Sequence, residues 1–152
     1  MTIALHPLPT ALPDLDELPP ESTRVLEVDE PSAYPCRRCL EDARPGERVV
    51  LLSYDPFTGD SPYRQPGPIF VHERDCAAGG GLVRAGELPD QLARRVLSVR
   101  AFGADHLMRS GTVTAGAALE DVAGTLLEDA DVAYLHVHNA GPGCFAVRID
   151  RA

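Results

Sequence analysis

The chain has 152 residues, which is the length of one domain, and we predict a single domain over residues 1–152. A domain of this size buries roughly 70% of the surface that its unfolded chain exposes, so it can form a core without disulfides. The net charge of −9 argues against nucleic acid and anionic membranes as main partners. The sequence has neither a secretory signal pattern nor a long apolar run, so we expect a cytoplasmic protein whose four cysteines are metal ligands or reduced thiols.

The first half of the chain is predicted to be an extended arm followed by short strands. Proline and leucine crowd residues 1–23, which precludes a long helix and indicates an arm or an irregular cap on the domain. A short strand follows at 24–28. Residues 47–55, ERVVLLSYD, form a continuous apolar run that is typical of a central strand. After the proline- and glycine-rich loop 56–68, residues 69–73 are predicted to return as a second strand.

The second half contains the main helix. A short helix is predicted over 88–95, opening at Asp90, and a strand over 96–102. Apolar residues recur at helical spacing between 115 and 129, so we predict an amphipathic helix there with Thr114 as its N-cap. Strands outnumber helices and arrive in adjacent runs, so the predicted fold class is α+β with a largely antiparallel sheet, this one main helix and a C-terminal β-hairpin.

The C-terminal hairpin is predicted from two alternating segments around the turn-rich stretch NAGPG, residues 139–143. We predict a register in which His138 faces Cys144 and His136 faces Ala146. Because side chains alternate along a strand, one face is then apolar, made of Ala133, Leu135, Val137, Phe145, Val147 and Ile149. The other face is polar and carries Tyr134, His136, His138, Cys144 and Arg148.

The stretch YPCRRCL contains two cysteines separated by two residues, the usual first half of a zinc site. The later stretch HERDC supplies a second half, so the predicted metal ligands are Cys36, Cys39, His72 and Cys76. If strands 47–55 and 69–73 pair antiparallel, both ligand pairs meet at the same end of that hairpin. Three thiolates and a neutral imidazole around Zn²⁺ leave a net negative charge, which Arg37 and Arg38 can offset. Zinc is therefore the predicted cofactor.

Two other interpretations of these cysteines stay open. They can be buried thiols beside a surface histidine, with no metal. They can also form a redox dithiol, although a thioredoxin-like dithiol opens a long helix after a strand, whereas Pro45 and Gly46 interrupt the segment here.

Two histidines project from the same side of the hairpin's first strand. His136 and His138 can chelate a metal or act as acid and base, because histidine titrates near neutral pH. Cys144 is a third catalytic candidate, as a nucleophile paired with a histidine. These residues support an alternative function, a hydrolase or isomerase that acts on a small anionic substrate. Whether the chain is an enzyme stays open.

Polar residues around the histidines suggest a ligand site. Arg100 joins the histidine face if the strand 96–102 neighbours the hairpin, and Arg148 would complete a basic patch. Such a patch suits a small carboxylate or phosphate, and Asn139 can add a donor at its edge. The alternative is a polar sheet face open to water, or the face of a metal-free interaction module that meets a protein partner. The oligomeric state is not predicted.

Four segments together resemble a known family. YPCRRCLEDARPGERVVLLSYDPF, SPYRQPGPIFVHE, VLSVRAFGAD and AYLHVHNAGPGCFAVRIDR resemble, in the same order, the small bacterial family catalogued as domain of unknown function 1203. The likeness covers residues 24–152. It implies no enzyme activity, because the family has none assigned. It implies that HVHNA-x-PGC is the family's own signature, matched here by His136, His138, Asn139, Pro142, Gly143 and Cys144.

The resemblance also separates the two candidate sites. Cys39, His72 and Cys76 look like the feature of a subgroup, since many relatives have serine or arginine at the positions of Cys39 and His72. It follows that zinc would support the structure of some members, and that any shared activity would lie on the histidine face. The sequence thus predicts a zinc-binding protein with a separate small-anion pocket built on histidines and arginines.

Overall fold

A computed structural model describes residues 2–8, 15–74, 76, 79, 81–84 and 86–152. Within these residues the chain forms nine strands, two α-helices and three short 3₁₀ turns. The helices are α1, Asp90–Ala93, and α2, Leu119–Leu127; the 3₁₀ turns are Leu15–Glu17, Pro20–Ser22 and Gly116–Ala118. The strands are β1 Ile3–His6, β2 Arg24–Glu27, β3 Arg48–Tyr54, β4 Gly67–His72, β5 Gly81–Val83, β6 Val96–Phe102, β7 Met108–Ala115, β8 Tyr134–Asn139 and β9 Phe145–Arg151.

The strands form two antiparallel sheets. The larger sheet has six strands in the order β5-β1-β9-β8-β6-β7, and the smaller has three in the order β2-β3-β4. Every pair of neighbouring strands is antiparallel. The structure is therefore α+β and sheet-rich, as the sequence predicts. No helix of the described residues is long and apolar enough to cross a membrane.

One face of the larger sheet packs against α2. Leu119, Ala123 and Leu127 recur every four residues, so they lie on one side of the helix and are buried against the sheet. Full burial of a leucine side chain stabilises the fold by roughly 1.5–3 kcal/mol. On the sheet, this core continues through alternate residues of the neighbouring strands, including Val99, Leu135, Val137, Val147 and Ile149.

The main helix begins later than the sequence predicts. Thr114 lies in β7 and does not cap the helix; its hydroxyl donates to the Ala115 carbonyl at 3.2 Å. The 3₁₀ turn Gly116–Ala118 separates the strand from α2. A side chain at Gly116 would collide with the Leu92 carbonyl oxygen, so glycine is required where this turn packs against α1. Strand β7 was not predicted, because nearly all of its residues are exposed and show no apolar alternation.

The N-terminal arm contributes a strand to the sheet. Ile3–His6 pairs with β9 on one side and with β5 on the other. Ile3 and Leu5 are about 1% exposed and belong to the main core. The arm is thus an inner strand over these residues, whereas the proline-rich positions 9–14 lie outside the described residues.

The C-terminal hairpin forms, but in another register than predicted. His136 pairs with Arg148 and Val137 with Val147, whereas His138 pairs with Phe145. Ala146 is the extra residue of a β-bulge between these pairs. The predicted pairing of His138 with Cys144 and of His136 with Ala146 is therefore wrong. A slip of two residues keeps every side chain on its face, so alternation alone does not distinguish the two registers.

The bulge changes which side chains reach each face. Phe145, predicted for the apolar face, lies on the histidine face, with its ring 5.3 Å from that of His136 and 5.8 Å from that of His138. Ala146 instead joins the main core. Phe145 also packs with buried residues of the smaller sheet, which are Val50, Leu52, Ile69 and Val71. The smaller sheet and its loops therefore cover the histidine face, which is not the open polar surface of the alternative interpretation.

Candidate metal centre and adjoining cavity

The loop with the first two cysteines lies against the last strand of the smaller sheet. Cys36 forms a bridge with Phe70 of β4, and the Arg37 amide donates to the Phe70 carbonyl at 3.0 Å. The Leu40 amide donates to the Cys36 carbonyl at 3.1 Å and closes the turn, for which Leu40 adopts a positive φ of 59°. Because β3 and β4 pair antiparallel, as predicted, this loop and the end of β4 meet.

The four predicted metal ligands converge. One ligand atom each from Cys36, Cys39, His72 and Cys76 lies within 4.8 Å of all the others. The Cys36 and Cys76 sulfurs are 3.8 Å apart, and the Cys39 sulfur is 3.6 Å from Nδ1 of His72. Tetrahedral zinc with its usual bond lengths places two sulfurs about 3.8 Å apart and a sulfur and a nitrogen about 3.6 Å apart. The cluster can therefore hold a metal ion.

Backbone and side-chain groups orient these ligands. The His72 amide donates to the Cys36 sulfur at 3.4 Å. Nε2 of His72 lies 3.6 Å from a carboxylate oxygen of Glu47, which leaves Nδ1 facing the thiols. A carboxylate on the second nitrogen of a ligating histidine fixes its tautomer and raises its basicity. Gln91 of α1, only 2% exposed, donates to the Cys36 carbonyl at 3.2 Å and fastens the loop from behind.

The three thiols of the cluster do not ionise alike. The pKa of Cys36 is lowered, first by the hydrogen bond from the Cys39 thiol and then by backbone amides. Donating that bond, together with burial, raises the pKa of Cys39, and burial raises the pKa of Cys76. Without a cation, one thiolate is thus held by neighbouring thiols that keep their protons. A metal ion bound here would replace those protons and would be held by all three sulfurs.

The two arginines between the cysteines have different surroundings, contrary to the prediction that both offset the charge of the cluster. Arg38 stays beside it, donating to the His72 carbonyl at 2.8 Å. Arg37 turns the other way and is 1% exposed. Its guanidinium donates to the Phe145 carbonyl at 2.7 Å and to the Cys144 sulfur at 3.1 Å. Arg37 therefore joins the cysteine loop to the C-terminal hairpin.

His136 is enclosed. It is 1% exposed, and neither ring nitrogen has a hydrogen-bond partner among the described residues. Burial lowers its pKa to about 3, with further contributions from His138 and Arg148, so the ring is neutral at pH 7. Four aromatic rings surround it with centroid distances of 4.8–5.3 Å: Phe57, Phe102, Tyr134 and Phe145.

His138 lies at a cavity of about 670 Å³ between the loop 56–68 and the C-terminal hairpin. Its Nδ1 donates to the Gly143 carbonyl at 2.9 Å, which fixes the tautomer and leaves a lone pair on Nε2. Nε2 is 3.5 Å from a guanidinium nitrogen of Arg100. Burial, and less strongly Arg100, lowers the pKa of His138 to about 4. Cys144 and Arg100 line the same cavity, which His136 does not.

Arg100 supplies an unbalanced charge to this cavity. Among the described residues no carboxylate lies within 4 Å of its guanidinium, which instead contacts the Ser98 hydroxyl and His138. Burial lowers its pKa, yet an arginine stays protonated at neutral pH. Arg64 on the same cavity is neutralised, because it donates to Asp55 at 2.7 Å. The cavity therefore favours an anion near Arg100.

The other two predicted ligand-binding residues lie elsewhere. Arg148 donates to Asp150 at 2.8 Å, lies 4.1 Å above the Tyr134 ring and lines a separate cavity of about 460 Å³. Asn139 lines a third cavity of about 520 Å³, and its amide donates to the Cys144 sulfur at 3.5 Å. Cys144 lines this third cavity and the first one, so it lies where the two meet.

Several residues of these sites were not foreseen. Three contacts depend on segments that are far apart in the chain. They are those of Glu47 with His72, of Phe57 with His136 and of the Arg37 side chain with Cys144. A local signal existed only for Arg37, through its place between two ligand cysteines.

Comparisons with known proteins give one match. The sequence model of the family described as "Protein of unknown function (DUF1203)" matches residues 33–151. No curated protein and no solved structure matches the chain. The match covers most of the chain and includes the cysteine loop, β8 and β9, so the resemblance seen in the sequence is confirmed. The chain belongs to the DUF1203 family, a family of unknown function.

Proposed function

We propose that this protein binds one structural zinc ion through Cys36, Cys39, His72 and Cys76, and a small anion in the cavity at Arg100. The observation that carries the first part is the convergence of four ligand atoms within 4.8 Å, with the Cys36–Cys76 and Cys39–His72 spacings close to those of tetrahedral zinc. Soft thiolate ligands suit zinc and disfavour hard ions such as Mg²⁺ and Ca²⁺, which prefer oxygen ligands. Thiolate ligands also require a reducing compartment, so a cytoplasmic location is part of the proposal.

Elemental analysis tests the metal. Protein purified without a chelator or a metal-binding tag should contain about one zinc per chain. Cys39→Ser should lower this content, whereas Cys144→Ser, a matched cysteine variant outside the cluster, should leave it unchanged. Metal-free protein with four freely titratable thiols in the folded state would contradict the proposal.

The second part of the proposal rests on the arginine without a counter-ion. Arg100 carries a positive charge beside a cavity in a protein of net charge −9, and no described carboxylate neutralises it. His138 is held neutral with Nε2 directed toward Arg100, so it can accept a hydrogen bond or a proton from a bound molecule. A small carboxylate is the simplest occupant, since a guanidinium binds it with two hydrogen bonds.

An acetate titration tests the pocket. At constant ionic strength, sodium acetate should shift the amide NMR signals of residues 98–100 and 136–145, and neutral acetamide should not. Arg100→Gln should abolish the shifts. Arg109→Gln removes the same charge from a pair with Asp105 outside the cavity, and should leave them intact. Equal shifts in both variants, or none in the unmodified protein, would refute the anion pocket.

The alternative enzyme function now rests on His138 alone among the two histidines. His136 is enclosed by aromatic rings and does not reach the cavity. His138 has a defined tautomer with Nε2 at the cavity, which is the geometry of a general base, and an anion bound at Arg100 would raise its low pKa. Loss of any activity in His138→Gln, with unchanged acetate binding, would support this role.

A further inference from the structure

Cys144 has an environment that the zinc site and the anion pocket do not explain. Its sulfur accepts hydrogen bonds from the Arg37 guanidinium at 3.1 Å and from the Asn139 amide at 3.5 Å. Among the described residues, no acceptor for an S–H of Cys144 is found. A sulfur that meets two donors, one of them a cation, is stabilised as the thiolate.

The donors of this site are buried and the sulfur is not. Arg37 is 1% exposed and Asn139 is 6% exposed, so both act in a medium of low dielectric constant, where charge interactions are stronger. Arg37 has no carboxylate partner among the described residues, and burial lowers its pKa, with Cys144 opposing that shift. Cys144 itself is partly exposed and lines two cavities. A small molecule in either cavity can therefore reach the sulfur.

A second observation points to a ligand beside Cys144. The side-chain oxygen of Asn139 is buried and has no hydrogen-bond partner among the residues that the structure describes. A buried oxygen without a hydrogen-bond donor lowers the stability of the fold by about 1–3 kcal/mol. Its presence next to an accessible sulfur therefore indicates that a bound molecule supplies the donor. On the other side of Cys144, in the cavity of about 670 Å³, Arg100 offers a charge without a counter-ion. A molecule that spans from Arg100 to Cys144 is thus anionic at one end.

We propose that Cys144 is a nucleophilic thiolate that attacks a small electrophilic carboxylate bound at Arg100. This inference rests on the anion pocket proposed above. In the step, the sulfur lone pair forms a bond to the electrophilic carbon, and the leaving group departs from that carbon with its bonding electron pair. Arg37 and Asn139 hold the sulfur as the thiolate, and Arg100 holds the carboxylate.

Two alkylating probes of nearly equal size distinguish the effect of the probe's charge from the intrinsic reactivity of the Cys144 sulfur. Iodoacetate and iodoacetamide both form a thioether and release iodide, but only iodoacetate carries a carboxylate. Their rates at Cys144 are measured at pH 7 on the zinc-loaded protein by peptide mass spectrometry, with glutathione as the reference thiol. Cys144 should react faster than glutathione with both probes. The ratio of the iodoacetate to the iodoacetamide rate should exceed that of glutathione by about tenfold, the effect of one charge-assisted contact.

Variants assign that preference to Arg100. Arg100→Gln should bring the ratio down to that of glutathione. Arg109→Gln, with the same change of net charge, should keep the preference. Neither variant alters Arg37, whose replacement can unfold the chain, and circular dichroism with zinc content checks that both remain folded.

Each failure has a distinct result. Slow alkylation of Cys144 by both probes, together with a positive acetate titration, would overturn the nucleophile and leave the anion pocket standing. Fast alkylation without a preference for iodoacetate would overturn the proposed substrate class. If the acetate titration is silent as well, the anion pocket falls with it.

Discussion

The cysteine cluster and the histidine face lie on opposite sides of Arg37, and they differ in how their polar groups are satisfied. In the cluster every ligand atom has a neighbour at bonding or hydrogen-bonding distance, and Glu47, Gln91 and backbone amides hold the ligands. In the C-terminal hairpin, both nitrogens of His136 and the side-chain oxygen of Asn139 are buried and have no hydrogen-bond partner among the described residues.

This difference separates stability from function. A closed and fully bonded cluster contributes folding free energy when a metal binds. Unpaired buried groups cost free energy, and proteins retain them mainly at sites that serve a ligand or a reaction. The contrast is consistent with the proposed division into a structural cysteine cluster and a ligand site near His138 and Cys144.

The largest effect is expected from removing the metal. If the site is structural, a chelator should destabilise the protein by about 4 kcal/mol, the value for a ligand a thousandfold above its Kd. For a domain of this size that lowers Tm by roughly 8–16 °C. Differential scanning calorimetry with and without chelator measures it. Cys144→Ser should lose as much as the unmodified protein, whereas Cys39→Ser should show no further loss.

Acid should destabilise the histidine face next. The pKa values of His136 and His138 fall from 6.5 to about 3 and about 4 on folding, so the unfolded chain binds more protons between these values. Stability is then full above pH 6.5 and is lost as the pH falls toward 4, by about 2 kcal/mol per histidine at pH 5.

Urea denaturation between pH 7 and pH 5 measures this loss. A double variant, His136→Leu with His138→Leu, should lose about 4 kcal/mol less than the unmodified protein over that interval. Metal release and the titration of carboxylates affect both proteins alike. If the free energy of unfolding depends on pH in the same way in both proteins, folding does not lower the pKa values of the two histidines.

The two histidines should differ when replaced singly at pH 7. His136→Leu removes two unsatisfied buried nitrogens at similar volume, and should stabilise the fold by about 1 kcal/mol. His138→Leu removes the hydrogen bond to the Gly143 carbonyl and should destabilise it by about 1 kcal/mol. Urea unfolding gives both values. A loss of stability in His136→Leu would indicate that its ring has partners in solution, and would weaken the distinction between the two regions.

The smallest effect is expected at Arg100. Its guanidinium is half-buried and has no carboxylate partner in the described part of the chain, so Arg100→Gln should change the free energy of unfolding by less than about 0.5 kcal/mol. The same variant should lose acetate binding. A large destabilisation would instead assign Arg100 a structural role.

Local patterns were sufficient for much of this structure. Strand β6 runs over the residues that the sequence predicts, and β2, β3 and β4 differ from prediction by one or two residues, because continuous apolar runs bounded by loops define them. The convergence of the four candidate metal ligands was also predictable, since ligand types and spacings are local, and one antiparallel hairpin brings them together. Strands β5 and β7 were missed, because exposed edge strands need no apolar pattern.

The sequence by itself determined the sheet-rich class, the four-residue candidate metal site and the face of each side chain in strand β8. Only the tertiary structure decided the bulge at Ala146 and the direction of the Arg37 side chain toward Cys144. It also decided that Arg100, Asn139 and Arg148 line three different cavities. The physical reason is that alternation fixes the face of a residue but not its partner. A partner on another segment depends on how two sheets pack, which no local period encodes.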